Sequence, residues 1–405
     1  MKRFLCTFQL WLLGVACAPA TGLEIQGTLQ LGLVNGDDKV SFINKGTGVT
    51  RFDESGPALI QAMLTLEQDL GTDFTANATL AAYEDGDQHV GLTEAYINWK
   101  PLSAQKLKWQ GKAGFFYPQF SAENVQSGWL SPYTFTPSAI NTWLGEELRI
   151  AGAELTLFSP GRVRRSPWTH EGRVGVFGGN DPFGTLLSYR GFATHDRQSL
   201  QGDRIEFAKY PNVTGPPIAG PSWVEPFHEI DQRLGWYAGY HLQYQNKLDV
   251  RLYRYDNNGD PTAFNSQRQY AWDTKFSSVA VKYQMGETTL LSQFIDGSTR
   301  MGSNLVAADY RATYLMLSHV WSRHRVSIRW EDWRVAGQQD YWLRNTDSDG
   351  TAYALAWRYD LSDHWQIGVE YLRNSNAALS RLTLAEPAEA AQQHWLGVVQ
   401  YRFTQ

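Results

Sequence analysis

The side chains with chemistry to offer in this 405-residue chain are charged groups spaced two apart. Put the alternating apolar residues on one face. The other face then carries Lys108, Lys112, Arg149, Arg173, Arg233, Arg251, Lys282, Arg329, Arg358 and Arg402, with Glu67, Glu94, Asp249, Glu331 and Glu370. Bases outnumber acids two to one on that face, although the whole chain has a net charge of −5. Part of the acid excess sits in a connection that carries Glu123, Glu146 and Glu147. A basic wall facing an acidic loop sets up a transverse field, which biases the passage of charged solutes without breaking a bond.

Two other groupings are weaker. His195, Asp196, His228 and Glu229 share one long connection, but their spacing matches no ligand or hydrolase motif. Asn345 to Gly350 resembles the start of a calcium loop, yet Ala356 stands where the twelfth-position acid belongs, so it reads as a turn. No catalytic residue, metal ligand or cofactor site is assigned.

The elements that must position the charges are strands. Tyr353, Leu355, Trp357 and Tyr359 alternate with Ala352, Ala354, Ala356 and Arg358, and Val326, Ile328 and Trp330 alternate with Ser327, Arg329 and Glu331. Period-two alternation marks strands with unlike faces. Sixteen are expected: 23–33, 57–68, 73–84, 91–100, 106–117, 147–158, 171–179, 233–244, 248–256, 273–284, 289–298, 311–321, 325–334, 351–360, 365–373 and 393–403. A further hairpin near 185–192 and 203–210 would make eighteen. Glu154 is out of phase with Arg149, which calls for a bulge in 147–158. Short connections alternate with long ones, the largest being 180–232. That is the pattern of an up-and-down transmembrane barrel, with brief periplasmic turns, long external loops and both termini on the periplasmic side. Lipid cannot satisfy backbone groups, so spanning strands must close on themselves. Trp99, Tyr117, Tyr255, Tyr283, Trp321, Trp333, Tyr359, Trp365, Tyr401 and Phe403 lie near strand ends, where rings form interfacial girdles.

Composition agrees. A mean hydropathy of −0.41 and the lack of any long apolar run after Phe4 to Val15 exclude a helical membrane protein, whose spans need about 20 apolar residues each. An aromatic share of 14% excludes a disordered chain. The mild acidity argues against nucleic acid as a partner. Met1-Lys2-Arg3, the apolar run Phe4 to Val15 and the small residues Ala16 to Ala20 read as a cleaved signal peptide, 1–20, followed by a single barrel domain, 21–405. Cys6 and Cys17 both fall in that leader, so the mature chain uses no disulfide.

The run Gly111-Lys112-Ala113-Gly114-Phe115-Phe116-Tyr117-Pro118-Gln119-Phe120-Ser121-Ala122-Glu123 leads into a long third loop, which returns through Trp143-Leu144-Gly145-Glu146-Glu147-Leu148-Arg149. With the aromatic-terminated last strand, this resembles Gram-negative outer-membrane porins, and more narrowly the phosphate-selective porin-like group. The resemblance implies an all-β, antiparallel sixteen-stranded barrel with an inward-folded third loop, assembled as a homotrimer. The sequence departs from the narrower group because no Lys or Arg occurs from Pro118 to Leu148.

The expected function is passive diffusion of small hydrophilic solutes or ions through the bacterial outer membrane, with a weak preference for anions. The pore-lining set is Lys108, Lys112, Arg149, Arg173, Arg251, Lys282, Arg329, Arg358, Glu123, Glu146, Glu147 and Glu331. Expected partners are outer-membrane lipid, lipopolysaccharide and the solutes themselves. The alternatives are a barrel enzyme of lipase or protease type and a soluble exported sugar-binding protein. Lipid hydrolysis would mark the first, and recovery in a soluble fraction the second.

Overall fold

The computed structural model describes residues 22–405. The expected signal peptide, 1–20, lies outside the described residues. Sixteen strands form one closed antiparallel barrel. β1 Leu23–Asn35, β2 Gly56–Asp69, β3 Phe74–Ala82, β4 Val90–Trp99 and β5 Lys108–Phe116 make the first part of the wall. β6 Ile150–Ser159, β7 Trp168–Gly178, β8 Gly235–Tyr244, β9 Leu248–Asp256 and β10 Asp273–Met285 continue it. β11 Thr288–Met301, β12 Val306–Trp321, β13 His324–Gly337, β14 Ser348–Asp360, β15 Trp365–Ala378 and β16 Glu389–Thr404 complete it. β16 closes on β1 in continuous register from Gln26↔Thr404 to Asn35↔Trp395, so the barrel has no edge strand.

The eighteen-strand alternative is not adopted. Residues Thr185–Arg190 form a helix, and Ile205–Glu206 pairs only with Trp223–Val224, in a separate two-stranded piece. The bulge expected at Glu154 is also absent. β6 pairs with both neighbours without a register break, because Arg149 lies just before the strand rather than on it. Glu154 therefore faces inward in regular phase. The bulges fall elsewhere: Ile60 is the extra residue between β1 and β2, and Thr93 the extra residue between β3 and β4.

The outer face is apolar and exposed, as a lipid-facing surface must be. Leu29, Leu31 and Leu33 stand on β1, Val174 and Val176 on β7, Leu315 and Leu317 on β12, and Leu355 on β14. Aromatic rings gather near the turns: Trp321 stacks on His324 at 5.4 Å, Trp357 on Tyr359 at 6.2 Å, and Trp365 meets Tyr401 at 4.8 Å. Three of the rings expected in the girdles are not there. Tyr117, Tyr255 and Trp333 are buried. Tyr255 and Trp333 occupy inward-phase positions, and Tyr117 lies just past the end of β5 in the third loop, stacked on Trp129; the loops inside the barrel give them apolar partners in place of lipid.

The packed core therefore sits inside the wall. A continuous cluster joins Phe116, Phe120, Trp143, Phe183, Phe192, Tyr255, Phe276, Tyr310, Tyr314 and Trp333. A second cluster, built from Phe42, Tyr189, Phe207, Tyr210, Ile218 and Trp272, ties together the external loops.

Candidate channel constriction

Two loops occupy the lumen. The first follows β5. Its helix Ala139–Glu147 is capped by Ser138, whose hydroxyl accepts from Asn141 N–H at 3.4 Å. Every residue of that helix is buried. Trp143 stacks on Phe183 at 4.6 Å and meets Tyr310 edge-on at 5.1 Å.

The far wall clasps this loop. Glu370 on β15 accepts from Phe135 N–H at 2.6 Å and Thr136 N–H at 2.9 Å. Glu331 on β13 accepts from Ala139 N–H at 2.5 Å. Arg329 pairs with Glu123 at 3.0 Å and Glu331 at 2.8 Å and donates to the Thr136 and Pro137 carbonyls. Arg358 donates to the Ser131 and Thr134 carbonyls and stacks 4.0 Å over Phe135. A buried charge needs compensating partners. Arg329, Glu123 and Glu331 are ion-paired, whereas Arg358 and Glu370 are satisfied by loop carbonyls and backbone N–H groups.

The second loop follows β7. After the helix Thr185–Arg190 the chain runs without helix or strand from Phe192 to Leu200 and turns at Gln201, forming a strap. Phe192 starts near Trp333 of β13, at 6.5 Å. Thr194 Oγ1 accepts from Asn374 of β15 at 3.1 Å. Gln201 N–H donates to the Leu92 carbonyl of β4 at 2.9 Å. The two ends of the strap contact β13 and β4, on opposite sides of the barrel, within the roughly 31 Å that nine residue steps can reach at most, so the strap crosses the lumen from one wall to the other. It is sandwiched between the loop after β1, residues 36–55, and the third loop, after β5. His195 Nε2 lies 2.9 Å from Glu146, and Asp196 pairs with Arg51 at 2.8 Å. Arg197 pairs with Asp203 at 2.7 Å, and Gln198 N–H donates to the Tyr83 hydroxyl at 3.1 Å. Ser199 N–H donates to the Gly145 carbonyl at 3.2 Å.

Adjacent carboxylates at the helix end behave oppositely. Burial opposes ionisation of Glu146, but Arg190 and then His195 outweigh it and hold its carboxyl at about 2. Burial pushes Glu147 up to about 7, against the Leu186 N–H and the Trp143 indole N–H that it accepts from. Further out, Asp181, Glu229 and Asp231 bring carboxylate oxygens within 4.8 Å of one another. Burial lifts Asp181 to about 7 despite bonds from Ile230 N–H and Asp231 N–H.

The pore-lining residues expected from sequence are thus spread over three settings. Glu123, Arg329, Glu331 and Arg358 join wall to third loop. Glu146, Glu147 and Arg149 join the third loop to the fourth: Arg149 donates to the Gly145 and Ser199 carbonyls and to the Tyr117 hydroxyl. Lys112 and Arg251 line a cavity of about 410 Å³ below the third loop, with Glu24, Glu67, Glu94 and Trp129. Lys112 sits 4.4 Å over the Tyr96 ring, and Arg251 pairs with Asp249 at 2.9 Å. Arg173 is held by Glu154 and Glu171. Lys108 and Lys282 are half-buried on the wall. Arg233 precedes its strand, is exposed, and pairs with Asp260 at 3.1 Å.

Sequence reasoning missed Arg51, Asp85, Arg190 and the strap itself. The four residues weighed as a possible metal or hydrolytic site do not meet. His195 and Asp196 belong to the strap, whereas His228 lies 3.5 Å from Glu225 and Glu229 lies beside Asp181. The available signal was the polar run Thr194 to Ser199 between two apolar pegs, Phe192 and Leu200.

No protein-family model matches the chain, and no curated protein sequence matches it. Solved structures do match. The outer membrane channel DcaP of Acinetobacter baumannii superposes with a TM-score of 0.54 at 10% identity, over 94% of this chain and 96% of that one. The trimer form of OmpT, an outer membrane protein of Vibrio cholerae, gives 0.53 at 10% identity, over 94% and 99%. An anion-selective porin from Comamonas acidovorans gives 0.50 at 11% identity, over 94% and 99%. At such identities the likeness establishes the fold, which is that of the outer-membrane porins.

Proposed function

We propose that the protein is a channel of the bacterial outer membrane that passes small hydrophilic solutes and ions. One observation carries this reading. The closed barrel has an apolar exterior and a polar cavity of about 410 Å³ inside its wall, below loops that narrow the lumen. Outer-membrane lipid and lipopolysaccharide surround the barrel, and three copies assemble as a homotrimer, as the trimeric neighbour suggests. The chain is not an enzyme in this reading.

The finer reading is a weak anion preference. Among the described residues, Lys108, Lys112, Lys282, Arg325 and Arg358 on the inner wall make no ion pair, against the acids Glu24, Glu67, Glu94 and Glu370. The excess is slight, so any bias is slight. The third loop offers no Lys or Arg before Arg149, so no preference for phosphate is proposed.

Liposomes loaded with polysaccharide and reconstituted with the protein should swell in solutions of small sugars, faster for smaller ones. Reversal potentials in a salt gradient should be small and of anion-selective sign. Clear cation selectivity would remove the finer reading. Lipid hydrolysis without swelling would replace the channel by an enzyme.

A further inference from the structure

We propose that the strap Phe192–Gln201 is a displaceable gate, and that solute passes when it lifts from the loop after β1 and from Asn374 of β15. The proposal rests on the channel reading. Both lumenal loops are buried, but what holds them differs. The third-loop helix is fixed by apolar packing around Trp143, and removing it would expose rings to water. The strap between its pegs carries Thr194, His195, Asp196, Arg197, Gln198 and Ser199, all buried and all polar. Ion pairs and hydrogen bonds exchange with water at small net cost, because water replaces each partner. Leaving its seat therefore uncovers little apolar surface, chiefly the Phe42 ring under His195 and the Tyr83 ring under Arg197.

The pegs define the movement. Phe192 belongs to the main core, and Leu200 packs with Met63, Ala81, Tyr83 and Leu130. The seven residues between them, Ala193 to Ser199, are tethered mainly by side chains of other loops.

The wall that runs from Asn374 across β16, β1 and β2 is lined with amides. Gln30 donates to Gln400 at 2.6 Å and accepts from Gln61 at 2.8 Å. Gln392 and Asn374 continue the amide lining above them, in register with each other on β16 and β15. On the same wall, His394 is buried with neither ring nitrogen bonded, and Gln61 Oε1 and Ser199 Oγ also lack partners. Unpartnered buried polar groups are costly when dry, so an interface that concentrates them is the one most readily hydrated. Gln26 and Thr65, at the periplasmic end of β1 and β2, lead from the amides into the cavity.

The test is a cross-link of the strap to its wall contact. Thr194→Cys and Asn374→Cys are combined in the full chain with Cys6→Ser and Cys17→Ser, and the oxidised and reduced forms are compared in planar bilayers. Oxidation, with the disulfide verified by mass, should lower conductance at least tenfold, and reduction should restore it. Equal conductance in both forms would overturn the gate while leaving the channel intact. No conductance from the unsubstituted chain would overturn the channel reading and the gate with it. A second variant guards against misfolding of the first. Thr194→Cys alone, with the two leader cysteines replaced, should react with a bulky water-soluble maleimide in the folded barrel within hours. Complete protection over a day, with full labelling after denaturation, would contradict a strap that moves.

Discussion

The helix Ala139–Glu147 and the strap Phe192–Gln201 touch inside the same barrel, and both are buried except for Gln201 at the strap's end. The helix is a piece of hydrophobic core. The strap is a piece of polar chain held by Arg51, Glu146, Asp203 and Asn374. Burial alone does not distinguish a permanent fixture from a movable one; the chemistry of the partners does. A water-filled membrane barrel can hold both, because its interior need not be apolar to be stable.

The largest effect should come from the helix. Trp143→Ala removes the ring packed between Phe183 and Tyr310 and should cost about 3–5 kcal/mol. Urea unfolding in lipid vesicles would show it. A loss under about 1 kcal/mol would mean the helix is as loosely held as the strap.

In the strap the order of effects should be unusual. Asp196→Ala strands part of the buried Arg51 charge and should cost about 3 kcal/mol. The pair replacement Arg51→Met with Asp196→Leu should cost less than that single change, because no charge is left unpaired. The same unfolding assay applies. A double variant less stable than the single one would break the comparison.

Acid titration sharpens the contrast between neighbours. Glu146 is held at about 2, so its stabilisation is present above about 4.5, the ordinary Glu value, and is lost as pH falls toward 2. Glu147 is raised to about 7, so its contribution is present below about 4.5 and lost as pH rises through 7. Glu146→Gln should therefore lower the urea midpoint by a similar amount at pH 5 and pH 8. Glu147→Gln should compare more favourably with the parent at pH 8 than at pH 5. Matching pH responses of the two variants would contradict the assignment. The smallest effect is the cap: Ser138→Ala should cost about 0.5–2 kcal/mol, without altering the conductance of the folded barrel.

The wall was legible in the sequence because alternation is local. Tyr353 to Arg358 declares two faces whatever surrounds it, and all sixteen strands occur within a few residues of their expected positions. Arg149 was placed on a strand because its neighbour Ile150 begins one, and that single error created the false bulge at Glu154. The inside was far less legible. Thr194 to Ser199 reads as an exposed loop, since polar runs are exposed unless something pairs with them. What pairs with them comes from Arg51, Asp85, Glu146 and Asn374, remote in sequence and joined only by closure of the barrel. Tyr117, Tyr255 and Trp333 looked like girdle rings for the same reason: strand-end position fixes height, whereas only the loops decide which side of the wall is apolar.

The most direct test of the whole account is single-channel recording of the purified, unsubstituted protein in a planar lipid bilayer. Discrete conductance steps, grouped in threes, with a small reversal potential of anion-selective sign, are the expected result. A protein that inserts as a folded barrel yet gives no steps at any voltage would contradict it.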